Sequence, residues 1–192
     1  MNLPNKLTIS RFALTVAFLV VFFSRAQLAN TISLVLFSAA GLTDYFDGKI
    51  ARTRKLITNF GILMDPLADK ILTCSAFIAF VERDLMPAWM VVIIVARELA
   101  ITGLRLLAAS KQVVLGAEGY GKHKTISQIV TILSVLVLVS FPEWGSWGHA
   151  IFASWVPAFT EIAKWVSVLL TFTSGGVYLW RNRRLYLDDL QH

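Results

Sequence analysis

The chain has 192 residues and a net charge of +6, with 56% hydrophobic residues, only 16% charged residues and a mean hydropathy of +0.66. Soluble domains carry about 25% charged residues, so this composition excludes a disordered chain, argues against an ordinary soluble enzyme and favours a polytopic membrane protein. The single cysteine, Cys74, excludes an intramolecular disulfide and a cysteine-built zinc site.

Crossing a bilayer takes ~20 apolar residues. Residues 7–23, 28–50, 60–81, 88–109, 126–141 and 162–180 each come close to that length and are predicted to span. Residues 2–10 read as a mixed lead-in, suited to a short interfacial helix. Residues 142–160 hold Trp144, Trp147, Trp155 and Pro157, and read as an outer interfacial loop anchored by aromatic rings. No repeat, low-complexity tract or second domain is visible, so residues 1–192 are expected to form one all-α membrane domain, a bundle of six transmembrane helices with a cytoplasm-facing polar cavity.

Basic residues set the orientation. Lys6 and Arg11 open the first span, and Lys49, Arg52, Arg54 and Lys55 lie between the second and third. Lys111, Lys122 and Lys124 lie between the fourth and fifth, and Arg181, Arg183 and Arg184 follow the sixth. The opposite side has Arg25, Arg83 and Lys164. The positive-inside rule then places both termini in the cytoplasm. The positive charge is assigned to this bias and to anionic lipid headgroups rather than to nucleic acid. Lys70, Arg97 and Arg105 remain inside apolar stretches and need another explanation.

The second and third spans contain Asp44, Asp47, Asp65 and Asp69. A charge inside a span costs at least ~2.5–3.5 kcal/mol near the bilayer centre and marks function by default. Asp44, Asp47, Gly48 and Ala51 share one helical face, as do Gly61, Asp65, Ala68 and Asp69. The linker 53–60 makes these helices antiparallel neighbours whose acidic stripes can face each other. With ~1.5 Å rise per residue, the two pairs meet just inside the cytoplasmic boundary. Four clustered carboxylates repel one another, and two divalent cations would balance their charge. All-oxygen ligation selects hard ions such as Mg²⁺, Mn²⁺ or Ca²⁺. Structural ion pairs with Lys70, Arg52 or Arg54 are an alternative use of these aspartates, as is a cation or proton path in a transporter. Clustering at one interface rather than at the midplane counts against the transporter.

The run Asp44-Tyr-Phe-Asp47-Gly48-Lys-Ile-Ala51-Arg52, eight intervening residues, and Gly61-Ile-Leu-Met-Asp65-Pro-Leu-Ala-Asp69 resembles the signature of the CDP-alcohol phosphotransferases, D-x2-D-G-x2-A-R-x8-G-x3-D-x3-D, at all eight fixed positions. Six spans, with the motif between the second and third, also look like this family. The resemblance implies transfer of a phosphatidyl group from a CDP-linked lipid to an alcohol, with release of CMP. It implies two divalent cations, Mg²⁺ or Mn²⁺, held by Asp44, Asp47, Asp65 and Asp69, with Asp69 as general base. It places Gly48, Arg52 and Thr58 on the CDP moiety, with Asn5 and Thr8 reaching the same nucleotide, and it implies a homodimer in a bacterial inner membrane.

The acceptor is read from cations. Arg97-Glu98 and Arg105 lie in the fourth span, the two arginines on roughly one face, and suggest a ligand with more than one negative charge. The alternative is a structural pair in which Glu98 holds one arginine. The Arg-Glu-x6-Arg run together with Gly121-Lys122-His123-Lys124-Thr125 is similar to the branch of the family that uses sn-glycerol 3-phosphate. The inositol-phosphate branch is the nearest competitor. Arg105, Lys122 and Lys124, then Arg97, are the candidates for the acceptor phosphate. The Walker-like Gly116–Lys122 run is a decoy, because His123 follows where Ser or Thr is required and no strand precedes it.

Overall fold

A computed structural model describes the backbone of residues 3–54, 59–111, 113, 120–183 and 185, and the side chains of these except 3–8, 44–54, 59–66, 69 and 120–122. Its elements are α1 (Leu3–Phe22), α2 (Ala29–Arg54), α3 (Asn59–Glu82), α4 (Ala88–Ser110), α5 (Tyr120–Ser140), a 3-10 turn (Phe141–Trp144), α6 (Gly145–Phe152) and α7 (Val156–Arg181). Among the described residues there is no strand.

Six of these helices coincide with the six apolar segments, and three boundaries depart from expectation. The lead-in is not a separate interfacial helix: α1 runs unbroken from Leu3. The stretch after α5 is helical rather than loop, because the 3-10 turn, α6 and an early start of α7 after Trp155 satisfy its backbone groups internally. Both ends of the 53–60 linker are also helical, since α2 continues to Arg54 and α3 begins at Asn59; residues 55–58 lie outside the described residues.

The exterior is largely apolar, and small polar residues are buried among the apolar ones inside. Val20, Val92, Leu99, Leu106, Phe172 and Trp180 point outward and are each more than three-fifths exposed. Inside the bundle, Thr15, Ser33, Thr131, Ser134, Ser140, Thr160, Ser167 and Thr171 are buried. Many of these hydroxyls donate to carbonyls of the preceding turn, as in Thr15 to Arg11 (2.8 Å), Ser33 to Ala29 (2.7 Å) and Ser140 to Leu136 (2.6 Å). Thr131 also donates across to the Ala163 carbonyl at 2.9 Å, joining α5 to α7. Small polar residues between helices with aliphatic residues outside are the pattern that lipid rather than water selects. The helical run His123–Phe152 and the helix Val156–Arg181 are each long and apolar enough to cross a membrane.

The apolar core gathers Phe18, Phe22, Phe37, Phe77, Phe80, Met90, Ile94 and Leu136 from α1 to α5. Phe22 stacks on Phe18 and meets Phe80 edge-on, with ring centroids 5.5 and 5.7 Å apart. At the same end of the bundle, Glu143 in the 3-10 turn closes the start of α2. Its carboxylate accepts from the Asn30 and Thr31 backbone amides (3.1 and 2.9 Å) and from both side chains (2.7 and 2.6 Å). Arg83, after α3, donates to Asn30 Oδ1 at 2.7 Å, and Trp144 donates to Thr31 at 2.9 Å. This clasp lies at the opposite end of α2 and α3 from their aspartates and leaves that other end to the chemistry.

Candidate functional site

Each helix carries its signature residues at the end away from the clasp. Asp44, Asp47, Gly48 and Arg52 belong to the C-terminal half of α2, and Asp65 and Asp69 to the N-terminal half of α3. The two helices touch. Asn5 and Thr8 lie on α1, and Lys122 lies on the first turn of α5. The side chains of all these residues, and Thr58 altogether, lie outside the described residues, as does the polar cavity expected around them.

What the described side chains do form is a buried ionic cluster beginning one residue beyond Asp69. Lys70 on α3 donates to the Thr102 hydroxyl on α4, and its Nζ lies 3.4 Å from the Glu98 carbonyl oxygen. Thr102 in turn donates to that same carbonyl at 2.7 Å. The Glu98 carboxylate receives the Lys124 ammonium from α5 and Arg97 Nη1 at 3.3 Å. The Glu98 and Lys124 side chains are only 9% and 5% exposed, so the contact is dry. Three helices are therefore tied together by charge at the level of the aspartate motif.

The cations expected at the acceptor phosphate prove unlike one another. Lys124 is not a free basic-loop residue; it is buried against Glu98. Arg97 lies beside the same carboxylate, and its Nε is buried with no hydrogen-bond partner among the described residues. The Arg97 stem passes so close to Gly175 of α7 that a Cβ at residue 175 would meet Arg97 Cγ at 2.7 Å. Arg105 is exposed, with its guanidinium 6.0 Å from the Tyr178 ring, also on α7. Arg97 and Arg105 thus both address α7, as their shared face predicts. The structural pairing of Arg97 with Glu98 is present, and Lys124 is a second cation on the same carboxylate.

Lys70, Thr102 and Gly175 were not among the sequence-derived candidates. Lys70 stood out as an unexplained charge in a span, but its partner lies 28 residues away in the chain. Nothing in the local pattern distinguishes Gly175 from its neighbour Gly176, beside which an added Cβ would meet nothing within 4 Å. Among the described residues no group of His, Cys, Asp and Glu could hold a metal ion, and the aspartates expected to do so lie outside them.

Comparison with known proteins identifies the family. The sequence profile of the family described as CDP-alcohol phosphatidyltransferase matches residues 1–173. A Bacillus subtilis protein named CDP-diacylglycerol--glycerol-3-phosphate 3-phosphatidyltransferase is 38% identical, over 94% of this chain and 95% of its own length. A Rickettsia bellii protein of the same name is 36% identical over 92% of this chain and 93% of its own length. A Mycobacterium tuberculosis protein named as a probable phosphatidylglycerophosphate synthase is 37% identical, over 73% of this chain and 68% of its own length.

Proposed function

The chain belongs to the CDP-alcohol phosphatidyltransferase family, and from that premise we propose that it transfers the phosphatidyl group of CDP-diacylglycerol to sn-glycerol 3-phosphate, producing phosphatidylglycerol phosphate and CMP. The observation that carries the acceptor is the cluster beside Asp69. Among its described residues Arg97 and Lys124 meet the single carboxylate of Glu98, Lys70 reaches the Glu98 backbone carbonyl, and Arg105 lies within electrostatic reach of Lys70. Surplus positive charge around a largely buried ion pair suits an anionic ligand with more than one charge. Choline, ethanolamine and serine carry no phosphate to meet it. The names of the Bacillus and Rickettsia relatives support the same acceptor.

Asp69 takes the proton from the primary hydroxyl of glycerol 3-phosphate. The resulting oxygen attacks the lipid-linked phosphorus in line, the bond from that phosphorus to the CMP phosphate breaks, and CMP leaves with the bonding pair. Arg52 presents a guanidinium fork suited to the donor's diphosphate, and Asn5, Thr8, Gly48 and Thr58 complete the nucleotide contacts. Arg105, Lys122 and the Arg97–Lys124 pair face the acceptor phosphate. The donor set Asp44, Asp47, Asp65 and Asp69 is all carboxylate and fits hard divalent cations, Mg²⁺ or Mn²⁺. Two such ions would supply charge neutralisation of the diphosphate.

The whole chain acts as one membrane domain of six spans, multi-pass in a bacterial cell membrane with both termini cytoplasmic, and works as a homodimer. Basic residues gather at the ends that bear the aspartates, and the lipid-selected exterior of the bundle supports the spans. The deciding measurement is an acceptor competition with purified protein and CDP-diacylglycerol. Phosphatidylglycerol phosphate and CMP should form from glycerol 3-phosphate, and only when Mg²⁺ or Mn²⁺ is added. Preferential use of inositol phosphate would move the chain to the other acceptor. Ion flux in liposomes without any transfer would mark a transporter instead.

A further inference from the structure

We propose that Glu98 is a positioning residue for the acceptor phosphate, holding Lys124 and Arg97 in place around a charge deficit that the ligand fills, with Gly175 as the notch through which Arg97 reaches it. This rests on the glycerol 3-phosphate reading and gives Glu98 and Gly175 roles that it does not assign.

The geometry carries the argument in three steps. Glu98 meets both the Lys124 ammonium and Arg97 Nη1, while Lys70 reaches its backbone carbonyl. Cations from α3, α4 and α5 in a site this dry repel one another strongly, because little water screens them. One carboxylate among them fixes their places without cancelling their charge. Second, Arg97 keeps a buried donor, its Nε, with no hydrogen-bond partner among the described residues. An orphaned donor is costly unless a ligand uses it. Third, the path of Arg97 depends on α7 lacking a side chain at residue 175, since Cβ at that point would displace the Arg97 stem rather than its flexible tip. A hydrogen atom at one helical position thus sets where the guanidinium lies. A dianionic phosphate in front of Arg97 and Lys124 brings the cluster close to neutrality.

The test is steady-state kinetics on the full-length enzyme in lipid–detergent micelles, with glycerol 3-phosphate and CDP-diacylglycerol varied in turn and thermal unfolding followed in parallel. Glu98→Gln should raise KM for glycerol 3-phosphate about tenfold or more while KM for CDP-diacylglycerol stays within about twofold. Glu98→Asp should recover part of the loss. Gly175→Ala should raise the same KM in the same direction, because it moves Arg97 without touching any charge. If Glu98→Gln fails to fold, Gly175→Ala decides alone. An unmoved acceptor KM, with loss confined to kcat or to melting temperature, would overturn the positioning role and leave a bundle-stabilising pair. Wild-type protein that makes no product from glycerol 3-phosphate would overturn the functional reading, and this role with it.

Discussion

Residue identity does its work here through charge in a place that disfavours charge. Asp44, Asp47, Asp65 and Asp69 are costly in an apolar helix, and that cost is what makes their spacing informative. The same logic applies to Glu98 and Lys124, which meet out of water, with Arg97 and Lys70 against them. Burial also separates some basic residues from the rest. Arg11, Lys124 and Lys164 are 1%, 4% and 5% exposed, so these three basic residues sit inside the bundle rather than in solvent. Lys164 is held there by Glu161 three residues earlier, at 2.6 Å. At this scale the sharpest prediction concerns Asp69. Asp69→Asn keeps the shape and the ligating carbonyl oxygen but cannot accept a proton. Product formation should fall by a factor of about a hundred or more, while divalent-ion-dependent CDP-diacylglycerol binding, read by equilibrium filtration with labelled lipid, should persist. Lost binding would make Asp69 chiefly a metal ligand.

Helices were legible as units because hydropathy reports them directly. All six apolar segments became long helices, with ends moved by a few residues. The segments that escaped were the aromatic and proline-bearing ones. Residues 142–160 look like loop from their prolines, glycines and tryptophans, yet Pro142 and Pro157 occupy first turns, where a missing amide hydrogen costs nothing. Gly145, at φ 71°, takes the left-handed conformation that lets the 3-10 turn pass into α6. The role of the turn is equally non-local: Glu143 caps α2 from 113 residues away. Glu143→Ala removes all four hydrogen bonds at that helix start and should destabilise the bundle by about 1–2 kcal/mol. Thermal unfolding in detergent measures this, and an unchanged melting temperature would show that water caps α2 equally well. Because the clasp is at the far end from Asp69, KM for both substrates should hold.

The whole molecule separates two tasks along its length. One end is stitched by Phe packing and the Glu143 clasp; the other gathers the signature residues and the cationic cluster. Orientation across the membrane follows from which end carries the basic residues. In a Cys74→Ala background, Ser24→Cys between α1 and α2 should react with an impermeant maleimide on intact cells. Ser110→Cys at the end of α4 should react only after permeabilisation. Both positions are exposed in the bundle, so access is decided by the side of the membrane. The reverse pattern would invert the topology.

The amino-acid sequence alone determined the helices, the acidic signature and, through it, the family, because hydropathy and fixed spacing are local properties of a chain. It also singled out Arg97, Arg105 and Lys124 as cations needing a purpose. Only the tertiary structure decided that Lys124 belongs to Glu98, that Lys70 ties α3 to α4, and that Gly175 rather than Gly176 lies against Arg97. Those outcomes depend on how helices distant in the chain rotate and cross. A helical repeat of 3.6 residues says which residues share a face, but it does not say which face of another helix will meet it.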